Sequence, residues 1–168
     1  LASAARVLAR ARKKGQTLVC LCKCCFGNLK QAAQLLAEEP ELAAQVDRAL
    51  APEGLKWDAG APVEHLTTVL ARHLDPKTLR QKVVRPLAGL KVAALYGCHA
   101  LRPSSVTGYD NPWNPSLLEG LVEAAGAQPV EWSGRLECCG NPIRRTNPDL
   151  SRAMITTRLQ QAAEAGAE

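Results

Sequence analysis

Residues Leu136 to Pro142 read LECCGNP, two thiols side by side ahead of a glycine. Adjacent cysteines rarely pair with each other, because the eight-membered ring that results is strained. The doublet is therefore expected to serve some other chemistry. Five further cysteines stand at 20, 22, 24, 25 and 98, so the seven fall into groups of four, one and two. An odd and clustered set is not the evenly spread framework of a small secreted fold. Any one cysteine reads as a small buried hydrophobe. That suits Cys20, which ends the apolar run LVC, but it does not suit the doublet or the close group around it. Grouped thiolates are ligands for soft metal centres, zinc and iron–sulfur clusters among them. Cys22-x-x-Cys25 could also act directly as a dithiol redox pair, a use that leaves Cys138 and Cys139 without a role.

These side chains need elements to hold them. With 46% hydrophobic and only 4% aromatic residues, the chain can bury a core of the kind that suits α/β or all-α packing better than a β-sandwich. The net charge of +5 is modest and its Lys and Arg residues are spread along the chain, which argues against nucleic-acid binding. No apolar run is long enough to span a membrane. The opening LASAARVLARARKKG is helix-periodic and lacks the order of a secretory signal.

The pattern predicts helices over 2–14, from about Asn28 to Pro40, from Pro40 onward, over 62–74, from Asp75–Pro76 through Val84, over 114–127 with Asn114 as cap, and after Asn147–Pro148. Strands are expected at 17–22, 90–97 and 129–132, and a short extended piece at 55–57. Strand and helix alternate, which predicts an α/β fold with a mostly parallel sheet and flanking helices. On that frame Cys22 and Cys25, then Cys98, then Cys138 and Cys139 each follow a strand. The C-terminal strand ends are where open α/β sheets build sites. Gly27, Gly97 and Gly140 flank them and let backbone approach a bulky group.

Other residues carry weaker signals. His99 follows Cys98, and histidine as a residue type suits general acid–base work, so it is a candidate proton donor to a leaving thiolate. Lys23 would lower neighbouring thiol pKa values if close. Arg144 and Arg145 suit an anionic centre or a substrate carboxylate. His65 and His73 read as surface or helix-packing residues, and Trp113 and Trp132 as core or pocket lining. Cys20 and Cys24 are not expected to be ligands.

The segments KVAALYGCHALRP, ECCG and the Asn-Pro helix after it resemble the CCG, or cysteine-rich, domain found in the B-type subunits of heterodisulfide reductase. LCKCCFGNLKQA resembles the C-x-x-C end of a preceding copy of the same motif. In that family one Cys, a CC-G and a C-x-x-C make up a motif that occurs twice, and each five-cysteine set holds a non-cubane [4Fe–4S] cluster. The resemblance therefore implies a pseudo-duplicated architecture, with 1–88 the remainder of a first CCG-type unit and 89–168 a second that lacks its final C-x-x-C. Neither motif is complete, which points to a piece of a longer subunit. The implied ligands are Cys22, Cys25, Cys98, Cys138 and Cys139, while His99 is a catalytic candidate on its position alone, its other reading being a loop histidine satisfied by backbone. The implied function is an oxidoreductase subunit that reduces or forms a disulfide. Its partners would be a ferredoxin-like iron–sulfur subunit and a flavin subunit. The implied location is the cytoplasm, with membrane association only through partner subunits. A zinc-binding structural or regulatory CCG-domain protein is the alternative reading, since four thiolates satisfy tetrahedral zinc.

Overall fold

The computed structural model describes residues 1–168. It begins with α1 (Ala2–Lys13), whose Ala5, Leu8, Ala9 and Ala11 are buried, and β1 (Leu18–Cys20). Two helices follow, α2 (Lys23–Glu38) and α3 (Pro40–Leu50). Next come β2 (Val63–His65), α4 (Leu66–His73) and α5 (Pro76–Lys82). The rest comprises β3 (Lys91–Val92), the single turns α6 (Cys98–Leu101) and α7 (Ser104–Thr107), α8 (Leu117–Ala124), β4 (Gln128–Pro129) and α9 (Pro148–Glu164).

The architecture is α/β and every strand pair is parallel. The strands form two sheets of two, β1 with β2 and β3 with β4. Regular pairing is shorter than the apolar runs suggest. Beyond β3 the chain stays extended, and the Tyr96 amide donates to the Arg135 carbonyl at 2.9 Å. β2 lies inside the expected 62–74 helix, which begins only at Leu66, with His65 as its cap. Val63 and His65 are buried against the register partners Leu18 and Cys20. The stretch 55–57 is not a strand.

Side chains of the N-cap residue close the start of α2, α4, α5 and α9. Asp75 accepts from the Thr78 amide at 3.2 Å, and Asn147 from the Leu150 amide at 3.1 Å. At α8 the expected cap, Asn114, instead accepts from Arg135. The capping carboxylate comes from Asp110, whose Oδ2 takes the Ser116 and Leu117 amides at 2.9 and 2.8 Å.

Two apolar clusters hold the molecule. One joins Ala5 and Ala9 of α1 to Leu36, Val46, Leu50 and Leu55. The other joins Leu8, Cys20, Phe26 and Val63 to Ala94, Tyr96, Ala100, Leu101 and Tyr109. The second cluster takes residues from both sides of residue 88, so 1–88 and 89–168 share a core. Each large side chain in it contributes about 1.5–3 kcal/mol by leaving water. Cys20 lies in that core, as its place in LVC indicates. Trp132 is buried and donates its indole N–H to the Ala94 carbonyl at 3.0 Å, while Trp113 is 82% exposed. His65 is buried rather than surface-placed, bonded to the Thr67 hydroxyl at 2.8 Å. His73 is an exposed partner of Glu64.

Candidate functional site

The site is assembled where the N-terminus of α2, the Tyr96–His99 segment and the loop after Arg135 meet. The helix α2 starts five residues before the expected Asn28, because Cys22 itself caps it. Its backbone is extended, and its Sγ accepts from the Cys25 amide at 3.5 Å. That bond, with help from the Cys24 amide, lowers the Cys22 thiol pKa. Cys25 shares its hydrogen bond with the Cys22 sulfur and its own pKa is raised in consequence. Both thiols are exposed.

An early helix start decides which side chains turn inward. Residues three and four apart share a face. Phe26 and Gly27 are buried, so Lys23 and Cys24, one turn earlier, turn toward the protein, while Cys25 turns with exposed Asn28 toward solvent. Contact with α6 is tight. A Cβ on Gly27 would lie 2.2 Å from the His99 carbonyl oxygen, and one on Gly97 would lie 2.7 Å from the Lys23 side chain. At Gly27, where the opposing atom is backbone, only glycine permits this approach.

The doublet arrives by another route. The Tyr96–Arg135 backbone bond holds the end of the 132–136 segment beside the Tyr96–Cys98 segment. The Tyr96 hydroxyl donates to Glu119 and accepts from the Leu118 amide at 2.8 Å, and Glu119 also pairs with Arg135 at 3.3 Å. Burial, reinforced by Glu119, raises the Tyr96 pKa far above the ordinary phenol value. Past the doublet, Gly140 adopts φ +78° and its amide donates to Cys138 Sγ at 3.4 Å. A side chain there would also press on Ser151 and Met154 of α9, at 3.0–3.1 Å.

The result is a cavity of about 250 Å³ whose wall includes Lys23, Cys24, Cys98, His99, Cys138 and Cys139. Cys98, both doublet thiols and His99 therefore meet as their positions suggested. Cys22 and Cys25 are not in that wall; they stand on the same helix turn, just outside it. Cys24, not expected among the ligands, is in the wall. Burial raises its thiol pKa first, and the neighbouring sulfurs of Cys22, Cys98 and Cys139 raise it further.

Lys23 does more than stand among cysteines in the sequence. Its ammonium donates to the Leu95 carbonyl at 3.3 Å and lies 5.8 Å from the Tyr96 ring centroid. Burial lowers its pKa, and the Cys139 charge opposes that fall. A half-buried cation thus faces a set of potential thiolates. A second concavity, of about 370 Å³, shares Cys139 and Asn141 with the first and carries Arg144 and Arg152, but not Arg145.

This donor set fits an iron–sulfur centre. Four thiols surround one cavity, and a cation offsets the charge that thiolates and sulfide would bring. The His, Cys, Asp and Glu side chains do not converge in threes as a ready single-ion site. No helix is long and apolar enough to cross a membrane.

Residues 92–168 match the family model of the cysteine-rich CCG domain. The chain is 32% identical over 166 residues to a protein of Archaeoglobus profundus named as like the B subunit of heterodisulfide reductase, covering 97% of this chain and 56% of the relative. It is 31% identical over its full length to the B subunit of the ferredoxin/F(420)H(2)-dependent CoB-CoM heterodisulfide reductase of Methanosarcina acetivorans, again 56% of the relative. The 8-methylmenaquinol:fumarate reductase membrane anchor subunit of Wolinella succinogenes is 36% identical over 94% of this chain and 53% of its own length. The chain thus spans about half the length of the curated relatives it matches. Among solved structures, a hypothetical protein from Helicobacter pylori shares the fold, with a TM-score of 0.66 at 13% identity over 99% of this chain and 29% of its own.

Proposed function

The chain belongs to the CCG, or cysteine-rich domain, family of heterodisulfide reductase B-type subunits, and from that premise we propose that it is an iron–sulfur redox subunit that reduces or forms a disulfide. Membership of a multi-subunit oxidoreductase is the coarser statement, and the relatives named as B subunits of heterodisulfide reductases support it. The finer reading is that Cys98, Cys138 and Cys139 hold one non-cubane [4Fe–4S] cluster and that Cys22 and Cys25 belong to another. On this reading 1–88 and 89–168 are parts of two CCG-type units. Electron-carrying partners would be a ferredoxin-like iron–sulfur subunit and a flavin subunit, and the location cytoplasmic. The observation that carries the proposal is the cavity in which Cys98 and the doublet share a wall with a half-buried lysine.

A cluster held by Cys98, Cys138 and Cys139 would supply the electrons that reduce a sulfur–sulfur bond. The net reaction takes one disulfide, two electrons and two protons to two thiols. The protein's residues bind, orient and protonate. Lys23 stabilises negative charge on sulfur inside the cavity. His99, in the same wall, gives a ring-nitrogen proton to the departing thiolate and recovers it from solvent. Leu95, Tyr96 and Pro142 keep part of the lining apolar, which strengthens both effects.

The test uses the full-length protein, reconstituted anaerobically with iron and sulfide, reduced with dithionite and desalted. Oxidised 2-mercaptoethanol is then added as a small dialkyl disulfide. Two thiols should appear per disulfide consumed while the visible spectrum returns to its oxidised form, and Cys138→Ala or Cys139→Ala should abolish both changes. Thiol release at the same rate in wild type and both variants would contradict the proposal.

A further inference from the structure

We infer that the concavity carrying Arg144 and Arg152 is a subsite for an oxyanion group, a carboxylate, sulfonate or phosphate, borne by one half of the disulfide. This rests on the reading of the neighbouring cavity as the place where a sulfur–sulfur bond is cleaved or formed. The two hollows share Cys139 and Asn141. A ligand whose sulfur lies at the doublet can therefore run its tail past Asn141 to the arginines.

The first support is charge. Two arginines stand in the wall and no Asp or Glu does. None of the molecule's ion pairs engages Arg144 or Arg152. The planar guanidinium matches the oxygens of a carboxylate or phosphate two at a time. Pro148, in the first turn of α9, lines the same hollow, so the positive end of that helix adds to the field.

The second support is construction. Pro148, Ser151, Arg152 and Ile155 are spaced so that they share one face of α9, and all four are in the wall. The opposite side is tied to that helix. Gly140 passes so close to it that a Cβ would lie 3.0 Å from the Ser151 carbonyl oxygen. The Asn147 amide donates to the Ile143 carbonyl at 2.8 Å, which turns Arg144 back toward the helix start. Ser151 is only 7% exposed, yet its hydroxyl makes no hydrogen bond within the chain. A hydroxyl so placed ordinarily finds a partner, and an oxyanion supplies an acceptor. Binding of this group makes and breaks no covalent bond.

The experiment uses full-length protein, reconstituted anaerobically and reduced with dithionite. It is mixed with dithiodipropionate, which carries carboxylates, or with oxidised 2-mercaptoethanol, which is neutral. The ratio of the acidic to the neutral rate should fall roughly threefold in Arg144→Gln or Arg152→Gln and about tenfold in the double variant. Arg145→Gln, outside the wall, should keep the wild-type ratio. A second readout needs no cluster. In iron-free protein, peptide mapping gives the rates at which Cys139 reacts with anionic iodoacetate and neutral iodoacetamide, and their ratio should fall in the same order. Unchanged ratios, or an equal fall in Arg145→Gln, would overturn the inference while consumption of the neutral disulfide upholds the redox reading. If neither disulfide is consumed, the redox reading fails, and the Cys139 alkylation ratio alone decides whether the anion site stands.

Discussion

At the scale of the residue, Lys23 brings a positive charge to the cavity wall. Its ammonium is held by the Leu95 carbonyl and the Tyr96 face, with its stem packed on Gly97. A fixed positive charge near a redox centre favours the reduced, more negative state. At the effective dielectric of a partly buried pair the interaction is about 1–2 kcal/mol, or roughly 40–90 mV for one electron. Lys23→Met keeps the stem's bulk and removes the charge. The midpoint potential, followed by redox titration of the reconstituted protein, should therefore fall by that order. An unchanged potential would show that the ammonium does not face the centre. The sequence reveals that a lysine stands among cysteines, but not which way it points. That depends on where α2 begins, and the cap is Cys22, a residue outside the usual Ser, Thr, Asp and Asn set. A start near Asn28 makes Cys24 a loop thiol. With the start at Lys23, the spacing to buried Gly27 puts it inward.

At the scale of the element, the crossing of α2 over α6 sets the whole site, and glycine makes that crossing possible. Gly27→Ala would put a methyl 2.2 Å from the His99 carbonyl oxygen, so the helices must separate. Overpacking of this kind costs roughly 1–3 kcal/mol. The melting temperature should fall by several degrees, and Cys24 and Cys98 should become more reactive to alkylation in the iron-free protein. A variant with wild-type melting and thiol reactivity would refute the close packing. The elements themselves are partly legible. Helices with an Asx cap and a following Pro, at Asp75–Pro76 and Asn147–Pro148, can be read from sequence because the cap and the proline act locally. β2 is not legible. Val63 and His65 are buried, but three residues carry too little periodicity to stand apart from the amphipathic helix that follows. The α8 cap escapes a local reading because Asp110 reaches its amides from six and seven residues away.

At the scale of the whole molecule, two small parallel sheets are joined by a shared core, and the thiol groups of the two segments meet over that junction. Tyr96 belongs to both, as part of the core cluster and as the platform beneath Lys23. This continuity explains why the cavity wall combines residues from 23–24, 95–99 and 138–142. The thiol pattern points to part of the wall, since Cys98, Cys138, Cys139 and His99 all occur in it. Separation of Cys22 and Cys25 from it requires the helix rotation that only the fold supplies. The central claim is that these thiols bind an iron–sulfur centre, and metal analysis tests it most directly. Full-length protein purified and handled anaerobically should be brown, contain iron and acid-labile sulfide in about equal amounts, and lose iron on Cys138→Ala or Cys139→Ala with the fold retained by circular dichroism. A colourless protein holding zinc, or full iron content in both variants, would contradict the account.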